Sequence, residues 1–328
     1  MNSLLFAVNA VLPIILVVAV GYFLKRIGFM SQDFVKMANR LVFHVFLPAK
    51  LFLNVYQIEN LGEMKLGYAV YVVAMLLGIF AVSIPLAVIV AGKPERRGAL
   101  LQASFRSNYA LIGIPLAESL FGASGVAVAS LLSAIVVPAL NVLAVISLSI
   151  FGGDGKKTGI KSAILGILKN PLIQSVLVGL AVLGVRYAFA ELGISFRLSS
   201  ITPAFTAIDY LGRMATPLAL IALGGQFEFS VVSGLKREII FGTLMRTVIV
   251  PAIGIGTAFL LFKDTFGGAE FAAFVAVFAT PVSISSVPMT QEMGGDVQLA
   301  GQLVVWTTAM SAISVFLTSF LLSAAGIF

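Results

Sequence analysis

The sequence contains no cysteine and only one histidine, His44. The first absence excludes a disulfide framework, a thiolate metal site and a thiol nucleophile. The second excludes a multi-histidine metal centre, so no metal site is expected. Charge is also scarce. Only 11% of the 328 residues are charged, while 59% are hydrophobic. A soluble domain carries about 25% charged residues, so an ordinary water-soluble fold is excluded, as are disorder, collagen and coiled coil. No Walker loop, dinucleotide fingerprint or His-Glu-x-x-His pattern occurs. No catalytic residue is therefore assigned, and an enzyme is the least favoured class.

What is present is apolar sequence in long runs. A membrane-crossing helix needs roughly 20 apolar residues, and ten such runs lie at about 4–24, 34–55, 67–91, 99–120, 125–151, 170–190, 201–225, 238–262, 269–291 and 298–325. Their all-round apolarity, with Gly and Pro inside, predicts helices and not an alternating barrel. Lys25 and Arg26 follow the first run, the wrong place for the charges of a cleavable signal.

Loop charge predicts orientation. The connections after runs 1, 3, 5, 7 and 9, with their edges, hold twelve Lys and Arg; the opposite side holds Lys65, Arg186, Arg197 and Lys263. The basic side is expected to be cytoplasmic, with both termini outside. The net charge of +7 then reads as anchoring at the cytoplasmic surface and not as nucleic-acid binding. The bilayer is the expected environment.

The connection 152–169, rich in Gly and Lys, divides the chain into residues 1–151 and 170–328, with five runs each. An odd number per half requires the second half to be inverted. Prolines give a register between the halves: Pro48 against Pro217, Pro85 against Pro251, and Pro115 against Pro288, each of this last pair followed seven residues later by glycine. Inverted repeats with interrupted helices mark secondary transporters.

Run 4 carries Asn108, Gly113 and Pro115. Proline removes a donor and clashes with the preceding turn, so this helix is expected to kink or open at Pro115. Run 9 carries Pro281, Ser285, Ser286 and Pro288, which together predict an interruption of the helix. Bare amides at such breaks attract a carboxylate; the competing reading is a kink satisfied by neighbouring helices. Asn108 and Asn141 are candidate substrate ligands or interhelical packing contacts. Lys50, Arg106 and Arg246 lie within apolar runs and are functional candidates or snorkelling side chains. Asp209 and Arg213, four apart, are expected to neutralise each other. Glu118 and Gln291 hold matching places after their prolines, as a proton or cation site or as capping groups. His44 is either a proton-coupling group or a neutral residue packed between helices.

The ordered motifs Arg40-Leu41-Val42-Phe43 with Leu47-Pro48, Asn108 through Gly113-Ile114-Pro115-Leu116, Asn170-Pro171-Leu172-Ile173, Ala215-Thr216-Pro217-Leu218-Ala219-Leu220 with Gly224-Gly225, and Thr280-Pro281 with Gly294-Gly295 resemble the auxin efflux carrier family. That family includes plant auxin carriers and bacterial members known as malate or malonate permeases. The resemblance implies an all-α integral membrane fold of ten helices in two inverted five-helix repeats, like bile-acid symporters and sodium/proton antiporters. Helices 4 and 9 are broken and cross. Helices 1, 2, 6 and 7 form a scaffold, and helices 3–5 and 8–10 a moving transport domain. It places the family's two substrate asparagines at Asn108 and Asn141, the crossing prolines at Pro115 and Pro281–Pro288, and implies a homodimer. Plant members carry an acid and a lysine in helix 3; here Gly67 to Ala91 has no charge, so that support site does not transfer.

The sequence thus predicts a plasma-membrane carrier of small organic anions (malate, other carboxylates or auxin-like acids) with no cofactor. Coupling to sodium, to protons or to the membrane potential stays open. Two alternatives are a cation/proton antiporter using Glu118 and a membrane receptor that does not transport.

Overall fold

The computed structural model describes residues 2–57, 66–151, 167–194 and 197–328. Most of the expected linker, with Lys156, Lys157 and Lys161, falls outside these residues. Among the described residues the chain is helical throughout and forms no strand; a single isolated β-bridge joins Ser107 to Val282.

Among the described residues thirteen α-helices follow one another. They are α1 (Asn2–Arg26), α2 (Gln32–Leu41), α3 (Leu47–Tyr56), α4 (Leu66–Val90), α5 (Pro94–Phe105), α6 (Ile114–Phe151), α7 (Pro171–Glu191), α8 (Thr202–Gln226), α9 (Val232–Leu244), α10 (Val250–Phe262), α11 (Gly268–Phe278), α12 (Ser286–Glu292) and α13 (Val297–Ala324). Among the described residues five helical stretches are long and apolar enough to cross a bilayer: Leu66–Val90, Tyr109–Phe151, Pro171–Glu191, Phe229–Phe262 and Val297–Ala324. Runs 4 and 9 fall short because each is cut in two. The longest stretch turns a corner at Phe121 and Gly122, where Gly122 adopts φ +57°.

The outside of the bundle is as apolar as its inside. Leu66, Leu260, Leu261, Phe320 and Leu321 are all exposed. In water such a surface drives aggregation; in lipid it is the solvated face, and helix association must come from close packing and polar contacts. Gly224 shows the close packing. A Cβ there would overlap the backbone carbonyl of Val18, so α8 meets α1 backbone to backbone. Polar ties occur at the helix ends. Arg96 of α5 donates to Glu238 of α9 at 2.8 Å and to Asp296 at 3.1 Å, and Asp296 caps α13 by accepting from the Leu299 amide.

Among the described residues three wide π-turns interrupt the helices, at Val42–Phe46, Tyr109–Gly113 and Met245–Ile249. Each is followed at the second position of the next α-helix by proline: Pro48, Pro115 and Pro251. A proline ring clashes with the carbonyl four residues back, and widening the turn relieves that clash without opening the helix. This corrects the expectation at Pro115. The chain does open in run 4, but at Arg106–Asn108, and Pro115 lies exposed beyond the break.

Candidate functional site

The two breaks face each other. In run 4, α5 ends at Phe105, and Arg106, Ser107 and Asn108 leave the helix before the turn at Tyr109. No Gly or Pro occupies this gap. The Arg106 side chain instead bonds to Ser285 and Ser286, and the Arg106 carbonyl and Asn108 amide pair with run 9, so the chain here leaves the helical pattern. In run 9, Pro281 withholds its amide and keeps Thr280 out of the helical region, so α11 stops at Phe278. The Asn108 amide donates to the Pro281 carbonyl at 2.8 Å, and the Ser283 amide donates to the Arg106 carbonyl at 3.2 Å. The two interrupted rods are therefore joined through their backbones.

Two arginines are buried at this junction, with Arg106 2% and Arg246 0% exposed. Both correct the snorkelling alternative. Arg246 donates through Nε to the Thr280 carbonyl at 2.7 Å, and through its terminal nitrogens to Val277 at 2.6 Å and Phe105 at 3.3 Å. These carbonyls lie at the C-terminal ends of α5 and α11, where helices present unsatisfied acceptors and partial negative charge. Arg106 has a different shell. One terminal nitrogen donates to Gln102 Oε1 at 2.8 Å and Ser286 Oγ at 3.3 Å; the other donates to Asn141 Oδ1 at 2.9 Å and Ser285 Oγ at 2.8 Å.

A cavity of about 70 Å³ lies against the junction. Its walls come from α3 and α8 on one side and from both breaks and α6 on the other. Lys50, Asn54, Arg106, Ser107, Asn108, Asn141, Thr216, Ser283 and Ser285 supply its polar lining. Among the described residues, no acidic side chain lines it. The Asn108 side-chain amide nitrogen and the Ser107 hydroxyl are buried without a hydrogen-bond partner. Tyr109, Ala110 and Leu111 also line the cavity; as the first residues of a helical segment, their amides have no acceptor within it. Lys50 Nζ donates to Thr216 Oγ1 at 2.8 Å. Lys50, Asn54, Leu111 and Thr216 are shared with a wider cleft of about 410 Å³, so the cavity adjoins that cleft.

The structure thus gathers Lys50, Arg106, Asn108, Asn141 and Ser285 around one space. Ser286 touches it only through Arg106. The other sequence candidates lie elsewhere. Pro281 contributes its carbonyl to the bridge, and Pro288 is the third residue of α12. Gly113 is a packing residue, because a Cβ there would come within 2.8 Å of the Ala276 carbonyl. Pro115 lies outside the cavity lining.

The expected cation site is also corrected. Glu118 is exposed and away from the cavity, because its place in the first turns of α6 faces outward. Gln291 accepts from Asn39 Nδ2 at 2.8 Å and donates to the Lys36 carbonyl at 3.0 Å, so it ties α12 to α2. His44 is exposed rather than packed between helices, with Nδ1 3.1 Å from the Arg40 carbonyl and 3.8 Å from Glu292. Asp209 and Arg213 pair at 2.7 Å, as their spacing predicts.

Asn54, Ser107, Thr216 and Ser283 were missed by sequence reasoning. Asn54 stands one turn after Lys50, and Ser107 lies between the two polar residues already singled out, so both carried a signal. Ser283 lies two residues before Ser285 in the same hydroxyl-rich segment and Thr216 lies inside the Ala215–Leu220 motif, so both also stood in marked segments.

A broken-helix junction around an apolar-walled polar cavity, in a chain clad for lipid, defines a membrane transport protein. Residues 6–319 match the family described as "Membrane transport protein", and the chain belongs to that family, that of the auxin efflux carriers. It is 25% identical over 323 residues to an uncharacterized transporter of Methanothermobacter thermautotrophicus, covering 96% of this chain and 98% of that one. It is also 25% identical over 328 residues to an uncharacterized transporter of Methanocaldococcus jannaschii, with the same coverage. It is a multi-pass membrane protein.

Proposed function

We propose that this chain carries small organic anions, such as malate, other carboxylates or auxin-like acids, across the plasma membrane. The carboxylate binds where the two broken rods meet, held by Asn108 and the first amides of the Tyr109 turn, with Asn141 and the Ser285 and Ser286 hydroxyls completing the surroundings. The observation that carries this reading is the buried, unpartnered Asn108 amide in a cavity lined by cations and amides and, among the described residues, by no acid. A free donor in low dielectric costs roughly 1–3 kcal/mol, and an anionic oxygen removes that cost. Lys50 raises the local concentration of anions.

The proposed architecture is ten transmembrane helices in two inverted repeats, residues 1–151 and 170–328, joined by the linker 152–169. Runs 1, 2, 6 and 7 form the scaffold; runs 3–5 and 8–10 form the transport domain, which shifts against it in elevator fashion to alternate access. The cavity supports this division, because Lys50 and Thr216 come from scaffold runs while Arg106, Asn108, Asn141 and Ser285 come from transport runs. The basic connections face the cytoplasm, both termini lie outside, and two copies form a homodimer.

The test is uptake of malate, acetate and indole-3-acetate into proteoliposomes. Asn108→Ala is expected to abolish uptake of the transported acid while the protein stays monodisperse by size exclusion. Normal transport by that variant removes the proposed ligand.

A further inference from the structure

Two arginines are buried at the junction, and only one is matched. Arg246 takes three carbonyls at the negative ends of two half-helices and lies outside the cavity lining. Its charge is balanced by the backbone it binds. Arg106 meets only an amide oxygen from Gln102, another from Asn141, and the hydroxyls of Ser285 and Ser286. Among the described residues no carboxylate forms an ion pair with it. A guanidinium held this deep by neutral groups alone lacks a counter-ion, and a buried charge without one is costly. Arg106 also lines the cavity beside the unpartnered amide of Asn108.

We propose, building on the carboxylate-carrier reading above, that Arg106 is the charge-bearing ligand of the site and takes the substrate carboxylate as its missing counter-ion. The planar fork of arginine matches a carboxylate in a way an ammonium does not. Both terminal nitrogens are occupied, so the incoming oxygen must displace a neutral acceptor. Ser285 is the one that yields. It lines the cavity, and its hydroxyl has an alternative partner in Ser283 Oγ at 2.9 Å. Asn141 stays, because its own amide donates to the Val137 carbonyl at 2.8 Å and so fixes its oxygen on the guanidinium. Gln102 and Asn141 are then positioning residues that hold the fork, and Asn108 donates to the second carboxylate oxygen. The enclosed space of about 70 Å³ takes the carboxylate end of the acid, and the rest lies towards the adjoining cleft of about 410 Å³. The site selects for a carboxylate and tolerates variety beyond it.

The test compares acids with uncharged isosteres. Purified full-length protein is titrated calorimetrically with malate, acetate and indole-3-acetate, and with the corresponding carboxamides. The wild type is expected to bind at least one acid and to reject its amide. Arg106→Gln is expected to lose roughly 30-fold or more in affinity for the acid and to stop discriminating acid from amide. Unchanged acid affinity with the amide still rejected overturns the assignment. A second variant guards against loss of folding. Asn141→Asp places a built-in carboxylate beside the guanidinium, so it is expected to raise thermal stability and to exclude the acid. Wild-type acid binding by Asn141→Asp also overturns the assignment. A wild type that binds none of the three acids overturns the carboxylate-carrier reading itself, and this proposal with it. Acid binding by the wild type that survives Arg106→Gln sinks only the role of Arg106.

Discussion

Replacing Arg246 with leucine leaves the carbonyls of Phe105, Val277 and Thr280 buried with one donor fewer each. Each lost bond to a charged group costs about 1.5–3 kcal/mol, so Arg246→Leu is expected to lower the melting temperature strongly in detergent, with little expression of folded protein. Retention of the wild-type melting temperature contradicts the bracing role. The same residue shows a limit of sequence reading. Arg246 sits in an apolar run, and its position alone fits snorkelling. Its acceptors lie 31, 34 and 141 residues away and exist only because two other helices stop where they do. By contrast, Asp209 and Arg213 were legible, because an i, i+4 pair depends on the helix alone.

At the scale of elements, prolines announced disruption correctly but not its form. Pro48, Pro115 and Pro251 each follow a widened turn, and the helix continues through them. The open gap before Asn108 contains neither Pro nor Gly; its backbone and the Arg106 side chain bond instead to run 9, a partner no local pattern displays. Pro281 did end its helix, since a proline preceded by Thr280 cannot extend α11. Two variants separate these roles. Pro115→Ala is expected to narrow the Tyr109–Gly113 turn and weaken acid binding, because the ring's clash is what widens the turn whose first amides face the cavity. Gly113→Ala is expected to destabilise by about 1–3 kcal/mol, seen as a lower melting temperature, because its new Cβ presses on the Ala276 backbone. Wild-type acid binding by Pro115→Ala contradicts this reading.

At the scale of the whole molecule, the long apolar runs and the multi-pass character were readable from hydrophobic length, while the meeting of runs 4 and 9 was legible only through the family resemblance. The participation of α3 and α8 in the cavity was readable only in part, through Lys50. The expected orientation is directly testable, because a chain without cysteine gives every introduced thiol a unique identity. In intact cells, a membrane-impermeant maleimide is expected to label Asp264→Cys, in the connection between α10 and α11, and not Lys93→Cys, between α4 and α5. The reverse pattern inverts the topology and the side from which the cavity is reached.

The stitch between the half-rods is made of peptide groups, at Asn108–Pro281 and Ser283–Arg106. Such a stitch is blind to the chemistry of the side chains beside it. A designer can therefore rewrite the polar wall at Ser107, Ser283 and Ser285 to accept a different cargo while the frame that presents it stays sewn together.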